Sequence, residues 1–251
     1  MNLEELKAKY LPPKPEISYD GNAKVLIALT SYNRPKRVQR AIDSVLNQSF
    51  QNFHLYVMDN NSSESVKKML REKYGNHPKI TLYFTTVEDE FRLHAWWISI
   101  LINLAVKWGN EEYISVMTDD EWYEPRRLEC MVTYLDKHPE VQICYCSQMD
   151  NTTERLADRI WGNAQCHLDH NQVMWRRKLS IEIGGWIEPH TWLPDADFFD
   201  RISKHGYQVF PIDNPQILER NEVDNDKRFT TLLFYKGEEG KRKLRSGEIM
   251  E

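Results

Sequence analysis

Three short polar clusters each follow an apolar run: Thr30-Ser31-Tyr32 after Val25 to Leu29, Asp59-Asn60-Asn61 after Phe53 to Met58, and Thr118-Asp119-Asp120-Glu121 after Tyr113 to Met117. In an extended chain, successive side chains point to opposite sides. Asp119 and Asp120 can therefore do different work, one accepting from a ribose hydroxyl while the other holds a divalent cation. A hard ion such as Mg2+ or Mn2+ is typically held by one or two carboxylates, with water and substrate phosphate completing its shell. An acidic run alone is ordinarily a solvated strand cap, but two more polar strand ends beside it favour a site. A further carboxylate, Asp195, opens a stretch that ends at Gly206. It reads equally as a helix N-cap and as a general base, and Asp197 is its nearest rival. Asp169-His170 reads either as a pair that orients phosphate or completes a metal shell, or as a structural ion pair.

These side chains need a scaffold that delivers them to one place. The regular pattern begins at Lys24, and the apolar run Val25 to Leu29 predicts a strand buried on both faces. After Asn33-Arg34-Pro35, the residues Val38, Ala41, Ile42, Val45 and Leu46 form one helical stripe. Strands are predicted at Phe53 to Met58, Lys79 to Phe84, Tyr113 to Met117 and Val141 to Ser147. Helices are predicted around Val66, Met69 and Leu70 behind the caps Asn61-Ser62-Ser63, over Leu93 to Val106, and from Pro125 through Leu135. Strands that alternate with helices predict an α/β fold with a mostly parallel central sheet flanked by helices. In such a sheet, ligands bind beyond the carboxyl ends of the strands, where all three clusters fall.

After Asp150 the pattern is less regular, as expected of a smaller, irregular half. Helices are predicted at Arg177 to Ile183 before Gly184-Gly185, and at Asp195 to His205 before Gly206; glycine is the common helix stop. Arg176-Arg177 reads as a solvated helix start, with a phosphate contact as the alternative. Residues 1–23 read as an N-terminal extension, in which Pro12, Pro13 and Pro15 break any helix. Residues 24–220 read as one domain, with a regular half at 24–122 that carries the three polar strand ends and a less regular half at 123–220. Residues 221–251 read as a charged, flexible tail or flap.

The 251 residues carry a formal net charge of −5, with 41% hydrophobic and 28% charged residues. This composition suits a globular protein and argues against general nucleic-acid binding, which needs a basic face. The longest apolar stretch, Ala95 to Val106, falls short of the roughly 20 residues that span a bilayer. With a charged start and no apolar signal core, the expected location is the cytoplasm. Cys144 and Cys146 share one strand face and read as buried thiols rather than zinc ligands. The phosphate-binding G-x-G-x-x-G of dehydrogenases is absent, and Thr30-Ser31-Tyr32-Asn33 lacks the glycines of a nucleotidyltransferase loop.

The ordered set Leu29-Thr30-Ser31-Tyr32-Asn33, Val57-Met58-Asp59-Asn60-Asn61-Ser62, Phe91-Arg92, Leu101-Ile102-Asn103, Thr118-Asp119-Asp120, Asp169-His170 with Val173-Met174, and Asp195-Ala196 with Phe198-Phe199 resembles the family 2 glycosyltransferases of the GT-A fold. It runs from about Lys24 to Asp213. The resemblance implies an inverting, metal-dependent transferase that moves a sugar from a nucleotide-diphosphate donor, a UDP- or dTDP-sugar, to a hydroxyl acceptor in polysaccharide or glycoconjugate biosynthesis. It implies nucleotide contacts from Thr30, Tyr32, Asp59, Asn60 and Arg92, ribose binding by Asp119, and Mn2+ or Mg2+ on Asp120. Asp195 matches the catalytic base. Gly184-Gly185-Trp186 resembles the segment beside donor sugar and acceptor, and Trp186, Trp192 and His190 read as an acceptor platform or as packing. Asn60 replaces the usual second Asp, Pro194 stands where many relatives carry Glu, and the processive Gln-x-x-Arg-Trp signature is absent, which favours a single transfer. A non-catalytic nucleotide-sugar binding protein and a nucleotidyltransferase of similar fold are the alternatives.

Overall fold

The structure, a computed structural model, describes residues 2–16, 22–92, 96–146, 148–150, 155–157, 169–188, 194–212 and 218–220. The chain opens on helix α1 (Leu3–Tyr10), then alternates β1 (Val25–Ser31), α2 (Pro35–Leu46), β2 (Phe53–Asp59), α3 (Glu64–Tyr74), β3 (Ile80–Phe84), α4 (Asp89–Arg92), α5 (Trp96–Trp108) and β4 (Tyr113–Thr118). It continues through β5 (Glu121–Tyr123), α6 (Arg127–Lys137), β6 (Ile143–Tyr145), β7 (Gln148–Asp150), β8 (Arg155–Ala157), β9 (Val173–Arg176), α7 (Arg177–Ile183), α8 (Pro194–Lys204), β10 (Val209–Pro211) and β11 (Leu218–Arg220).

Among the described residues, seven strands form the main sheet in the order β10-β6-β9-β4-β1-β2-β3. The β1–β2, β1–β4, β2–β3 and β10–β6 pairs are parallel. All seven residues of β1 and of β2 are buried, because helices cover both faces. Val25, Ile27 and Leu29 pack with α2, α3 and α6, whereas Leu26 and Ala28 pack with α5, α7 and α8. The stripe on α2 is buried as its spacing predicts, and Pro35 sits at the first turn, where its missing N–H is harmless. Cys144 and Cys146 join one core cluster as free thiols.

Strand β9 is the exception in direction, antiparallel to both β4 and β6. An antiparallel strand brings its own beginning to the edge where its parallel neighbours end. The turn before β9, His170–Gln172, is thereby carried to the carboxyl edge of β4. The four residues Val173–Arg176 are too short a run to announce a strand in the sequence. A second sheet, β5-β11-β7-β8, adjoins this region.

The N-terminal segment differs from expectation. Its prolines follow a helix rather than preventing one. Asn2 and Glu5 form a reciprocal capping box at the start of α1, and Leu6 and Tyr10 are buried against Val87, Trp97 and Ile100. Burying two such side chains is worth roughly 1.5–3 kcal/mol each, enough to dock a helix of this length. The strongly charged segment 221–251 lies outside the described residues. Among the described residues, no helix is long and apolar enough to cross a membrane.

Candidate active site at the carboxyl edge of the sheet

Parallel register aligns the three polar clusters. Ser31 pairs with Asp59 and Thr30 with Thr118. The ladder continues one step past the strands: the Asn60 N–H donates to Ser31 O at 2.8 Å, Asp119 N–H to Thr30 O at 3.1 Å, and Thr85 N–H to Asp59 O at 2.9 Å. Thr30, Asp59, Asn60, Asp119 and Asp120 therefore meet on one edge, all with little exposure.

Asp59 is fully buried and already engaged. Its Oδ1 accepts from the Ser62 N–H at 2.8 Å and its Oδ2 from the Ser62 hydroxyl at 2.5 Å. This side-chain turn closes the loop before α3, with Asn61 in the left-handed region at φ 64°. The same loop is tied to the one after β1. Asn33, at φ 50°, donates its N–H to Ser62 Oγ and accepts from the Ser63 N–H through Oδ1, at 2.8 and 2.7 Å.

Asp119 is 3% exposed. Its Oδ2 accepts from the Tyr32 N–H at 3.0 Å, and its Oδ1 from Arg34 Nη1 at 2.8 Å. The same guanidinium nitrogen lies 3.4 Å from Asp120 Oδ2. Burial pushes the Asp119 carboxyl up to about 6, Arg34 pulling it down and the Asp120 charge adding to the rise. Two desolvated carboxylates side by side need a cation. Arg34 is a site residue that the sequence reading passes over. The only signal for it was a basic residue directly after the first polar cluster and before the helix-opening proline. The main-chain oxygen of Asp120 accepts from Arg40 Nη2 at 3.3 Å, and the Arg40 guanidinium stacks 3.8 Å over the Trp122 ring.

A second polar group enters from β9. His170 Nδ1 donates to Asp195 Oδ2 at 2.8 Å and lies 3.7 Å from Asp169 Oδ1. Burial would lower the imidazole, but the charge of Asp195, its hydrogen bond, and the charges of Asp169 and Glu121 hold it up at about 10. His170 is thus an imidazolium at neutral pH. Asp169, His170 and Asp195 offer ligand atoms that lie within 4.8 Å of one another, a grouping able to hold a metal ion. As it stands, the protonated histidine supplies the positive charge there, and a metal would first have to displace that proton. Asp169 also caps the His170–Gln172 turn, accepting from the Asn171 N–H at 2.9 Å.

Asn171 couples the two groups, a role the sequence reading did not assign. Its Oδ1 accepts from the Thr118 N–H at 2.9 Å, directly before the Asp119-Asp120 pair. Behind it, fully buried Arg127 donates to Ser115 Oγ and to Asn171 O, and lies 3.9 Å over the Tyr123 ring.

The Gly184-Gly185-Trp186 segment is held from α5. Asn103 accepts from the Trp186 N–H, and its amide donates to Trp186 O and to Glu188 Oε1, at 2.9, 2.7 and 2.9 Å. Lys7 of α1 also bonds Glu188. A Cβ on Gly185, which has φ 71°, would lie 2.8 Å from Asn103 Oδ1, so this close approach requires glycine. Trp186 stacks on Phe198 at 4.3 Å and meets the His170 ring edge-on at 5.8 Å. It is buried, supporting His170 and α8 from within the core. His190 and Trp192 lie outside the described residues, as does the side chain of Arg92, whose backbone ends α4.

Arg176 and Arg177 are neither solvated nor at the site. Arg176 donates to the main-chain oxygens of Leu135, His138 and Val141, closing the end of α6. Arg177 pairs with buried Glu111 at 3.1 Å. Both are consumed at the edge of the sheet away from the acidic pair, because Arg176 pairs in register with Tyr113, the first residue of β4.

Residues 26–187 match the family described as Glycosyl transferase family 2. Protein CgeD of Bacillus subtilis (strain 168) is 34% identical over 197 residues, 72% of this chain and 46% of that protein. Chondroitin synthase of Escherichia coli is 27% identical over 135 residues, 54% of this chain and 18% of that one. The chain spans less than half the length of these two relatives. Among solved structures, S. aureus TarS 1-349 in complex with UDP aligns with TM-score 0.63 and 14% identity, over 78% of this chain and 60% of that one. The mannosyltransferase PcManGT from Pyrobaculum calidifontis, in complex with GDP-Man and Mn2+, aligns with TM-score 0.64 and 17% identity, over 89% of this chain and 63% of that one. These structural likenesses establish the GT-A fold. The family match covers most of the chain, from β1 through the Gly-Gly-Trp segment, and the chain belongs to glycosyl transferase family 2.

Proposed function

We propose that this chain is an inverting, metal-dependent glycosyltransferase that moves a sugar from a nucleotide-diphosphate donor to a hydroxyl acceptor on a saccharide or glycoconjugate. We take 24–220 as the transferase unit. The observation that carries this reading is the convergence of two groups through Asn171: the Asp119-Asp120 pair at the end of β4 and the His170–Asp195 pair brought in by β9 and α8.

In this reading Asp119 receives the ribose, while Thr30, Tyr32, Asp59, Asn60 and Arg92 line the nucleotide pocket. With an amide at position 60, a pyrimidine N3–H still finds an acceptor, but one without charge. A UDP- or dTDP-sugar is the donor we favour. Asp120 would hold the divalent cation, Mn2+ or Mg2+. The donor set fits: hard carboxylate oxygens, little exposed, that already draw a guanidinium to within 3.4 Å. Such an ion would supply Lewis-acid neutralisation of the leaving diphosphate.

Asp195 would take the proton of the attacking hydroxyl on the face opposite the leaving group, which inverts the anomeric carbon. His170 holds Asp195 by its Oδ2 and orients that carboxylate, which leaves Oδ1 for the acceptor. The test pairs two variants. Asp195→Asn abolishes transfer while nucleotide binding survives; unchanged turnover removes Asp195 from the chemistry. Asp120→Ala weakens Mn2+-dependent nucleotide binding, and metal dependence that survives this change refutes the cation assignment. A melting-temperature screen of nucleotide-sugars with and without Mn2+ identifies the donor, because a ligand of the folded state raises its melting point.

A further inference from the structure

We propose that Arg34 is a built-in counter-ion of the Asp119-Asp120 pair, and that it excludes a lone divalent cation until a diphosphate arrives to take the guanidinium over. The inference rests on the metal reading given above. Arg34 Nη1 lies 2.8 Å from Asp119 Oδ1 and 3.4 Å from Asp120 Oδ2. One nitrogen thus serves both carboxylates, on the side where a shared cation would sit. The contact is substantially removed from water: the side chains of Arg34, Asp119 and Asp120 are 15%, 4% and 13% exposed. Charges at such separations interact several-fold more strongly than in bulk water.

The backbone that presents Arg34 is fixed. Asn33 is held in the left-handed region and bonded to both Ser62 and Ser63, and Pro35 locks the first turn of α2. Any exchange therefore has to be a movement of the Arg34 side chain. A dication bound at the pair with Arg34 in place would leave the two carboxylates over-neutralised, with two cations in contact. A diphosphate removes that conflict. It brings negative charge for the dication and an oxygen array that a guanidinium fork binds bidentately. Cation and diphosphate therefore bind together, each weakly without the other. Arg40 cannot substitute, since its guanidinium is committed to the Trp122 face and the Asp120 main-chain oxygen.

The experiment titrates Mn2+ calorimetrically into wild type, Arg34→Gln and Arg34→Lys, with and without UDP, after melting curves have established that each variant folds. Arg34→Gln should bind Mn2+ alone at least about tenfold more tightly than wild type, the effect of removing one unit charge in contact with the pair. In the presence of Mn2+ it should bind UDP at least about tenfold more weakly, through loss of a charge-assisted fork. Arg34→Lys keeps the charge and should keep the wild-type exclusion of Mn2+. It also stands in for Arg34→Gln if the latter fails to fold, since lysine loses the fork and only UDP binding should then fall. Adding Asp120→Asn to Arg34→Gln should abolish the gained Mn2+ affinity.

If wild type binds Mn2+ together with UDP but Arg34→Gln gains no affinity for Mn2+ alone, the counter-ion role is overturned and the metal reading stands. If no protein takes up Mn2+ under any condition, both fall. If the gained affinity survives Asp120→Asn, the cation lies elsewhere and the role of Arg34 is refuted.

Discussion

The His170–Asp195 pair predicts a specific pH dependence of stability. His170 rises from 6.5 to about 10 in the folded protein because the Asp195 carboxylate lies at hydrogen-bonding distance. Each unit of difference between folded and unfolded states is worth about 1.4 kcal/mol. The full shift sets an upper limit of about 5 kcal/mol on what protonation of this one ring contributes. The sign follows from which state holds the proton. Below pH 6.5 the histidine is charged in both states, and the contribution is complete. Above 6.5 the unfolded chain gives up its proton while the folded protein keeps it, so stability falls as pH rises toward 10. Urea denaturation at pH 6, 7.5 and 9 on wild type and His170→Gln isolates the effect, because groups away from this cluster titrate equally in both. The stability advantage of wild type should shrink by about 1 kcal/mol between pH 6 and 7.5, and by about 3 kcal/mol by pH 9. An advantage that stays constant from pH 6 to 9 would show that the imidazole titrates alike in the folded and unfolded protein, one that rises from pH 6 to 7.5 would show that it is neutral when folded, and in either case the ion-pair account of Asp195 would fail.

Replacing Trp186 by Ala opens a cavity between Phe198, Trp175 and His170 and should cost about 3–5 kcal/mol, read as a melting temperature roughly 10 °C lower in a calorimeter. A drop of only a degree or two would mean that the indole is not a core residue. Gly185→Ala forces a side chain onto φ 71° and against Asn103, at a cost of about 1–3 kcal/mol; since the next residue, Trp186, packs on Phe198 and on the His170 ring that bonds Asp195, turnover should fall while UDP affinity is unchanged, and an equal loss of both would place the damage elsewhere.

The parts of the site that lie on the parallel strands were legible in the sequence for a simple reason. A strand buried on both faces is a continuous apolar run, and its polar successor falls at the carboxyl edge whatever the neighbouring strands are. Thr30, Asp59 and Asp119 needed no tertiary information to be grouped. The general-base candidate Asp195 was legible only as one of two equal readings, because an Asp at the head of a helix is also an ordinary cap. Its bond to His170 depends on β9 running antiparallel, and a four-residue strand leaves no periodicity to reveal its direction. The capping box Asn2 to Glu5 was written plainly in the sequence, but the three prolines beyond it drew attention to where a helix ends instead of where one begins.

Arg34 and Asn171 were illegible for a deeper reason. Each is a polar residue in a turn, and nothing local distinguishes a turn residue facing water from one that neutralises or joins two other elements. Arg34 acquires its meaning only when register places β4 beside β1, so that the loop after β1 lies against the carboxylates that end β4. Asn171 does so only when β9 carries it to Thr118. The sequence thus exposes the residues that would meet substrate, because they terminate regular elements, and conceals those that couple one terminus to the next. Arg127 follows the same rule. It opens α6 as an unremarkable cation, yet it is buried under the turn that holds His170, bonded to Ser115 and to the Asn171 carbonyl. The acidic pair after β4 and the His170–Asp195 pair before β9 are therefore joined twice, by the pairing of β4 with β9 and, at the carboxyl edge itself, by the Thr118 N–H donating to Asn171 Oδ1 and the Asn171 amide donating to the Thr118 hydroxyl.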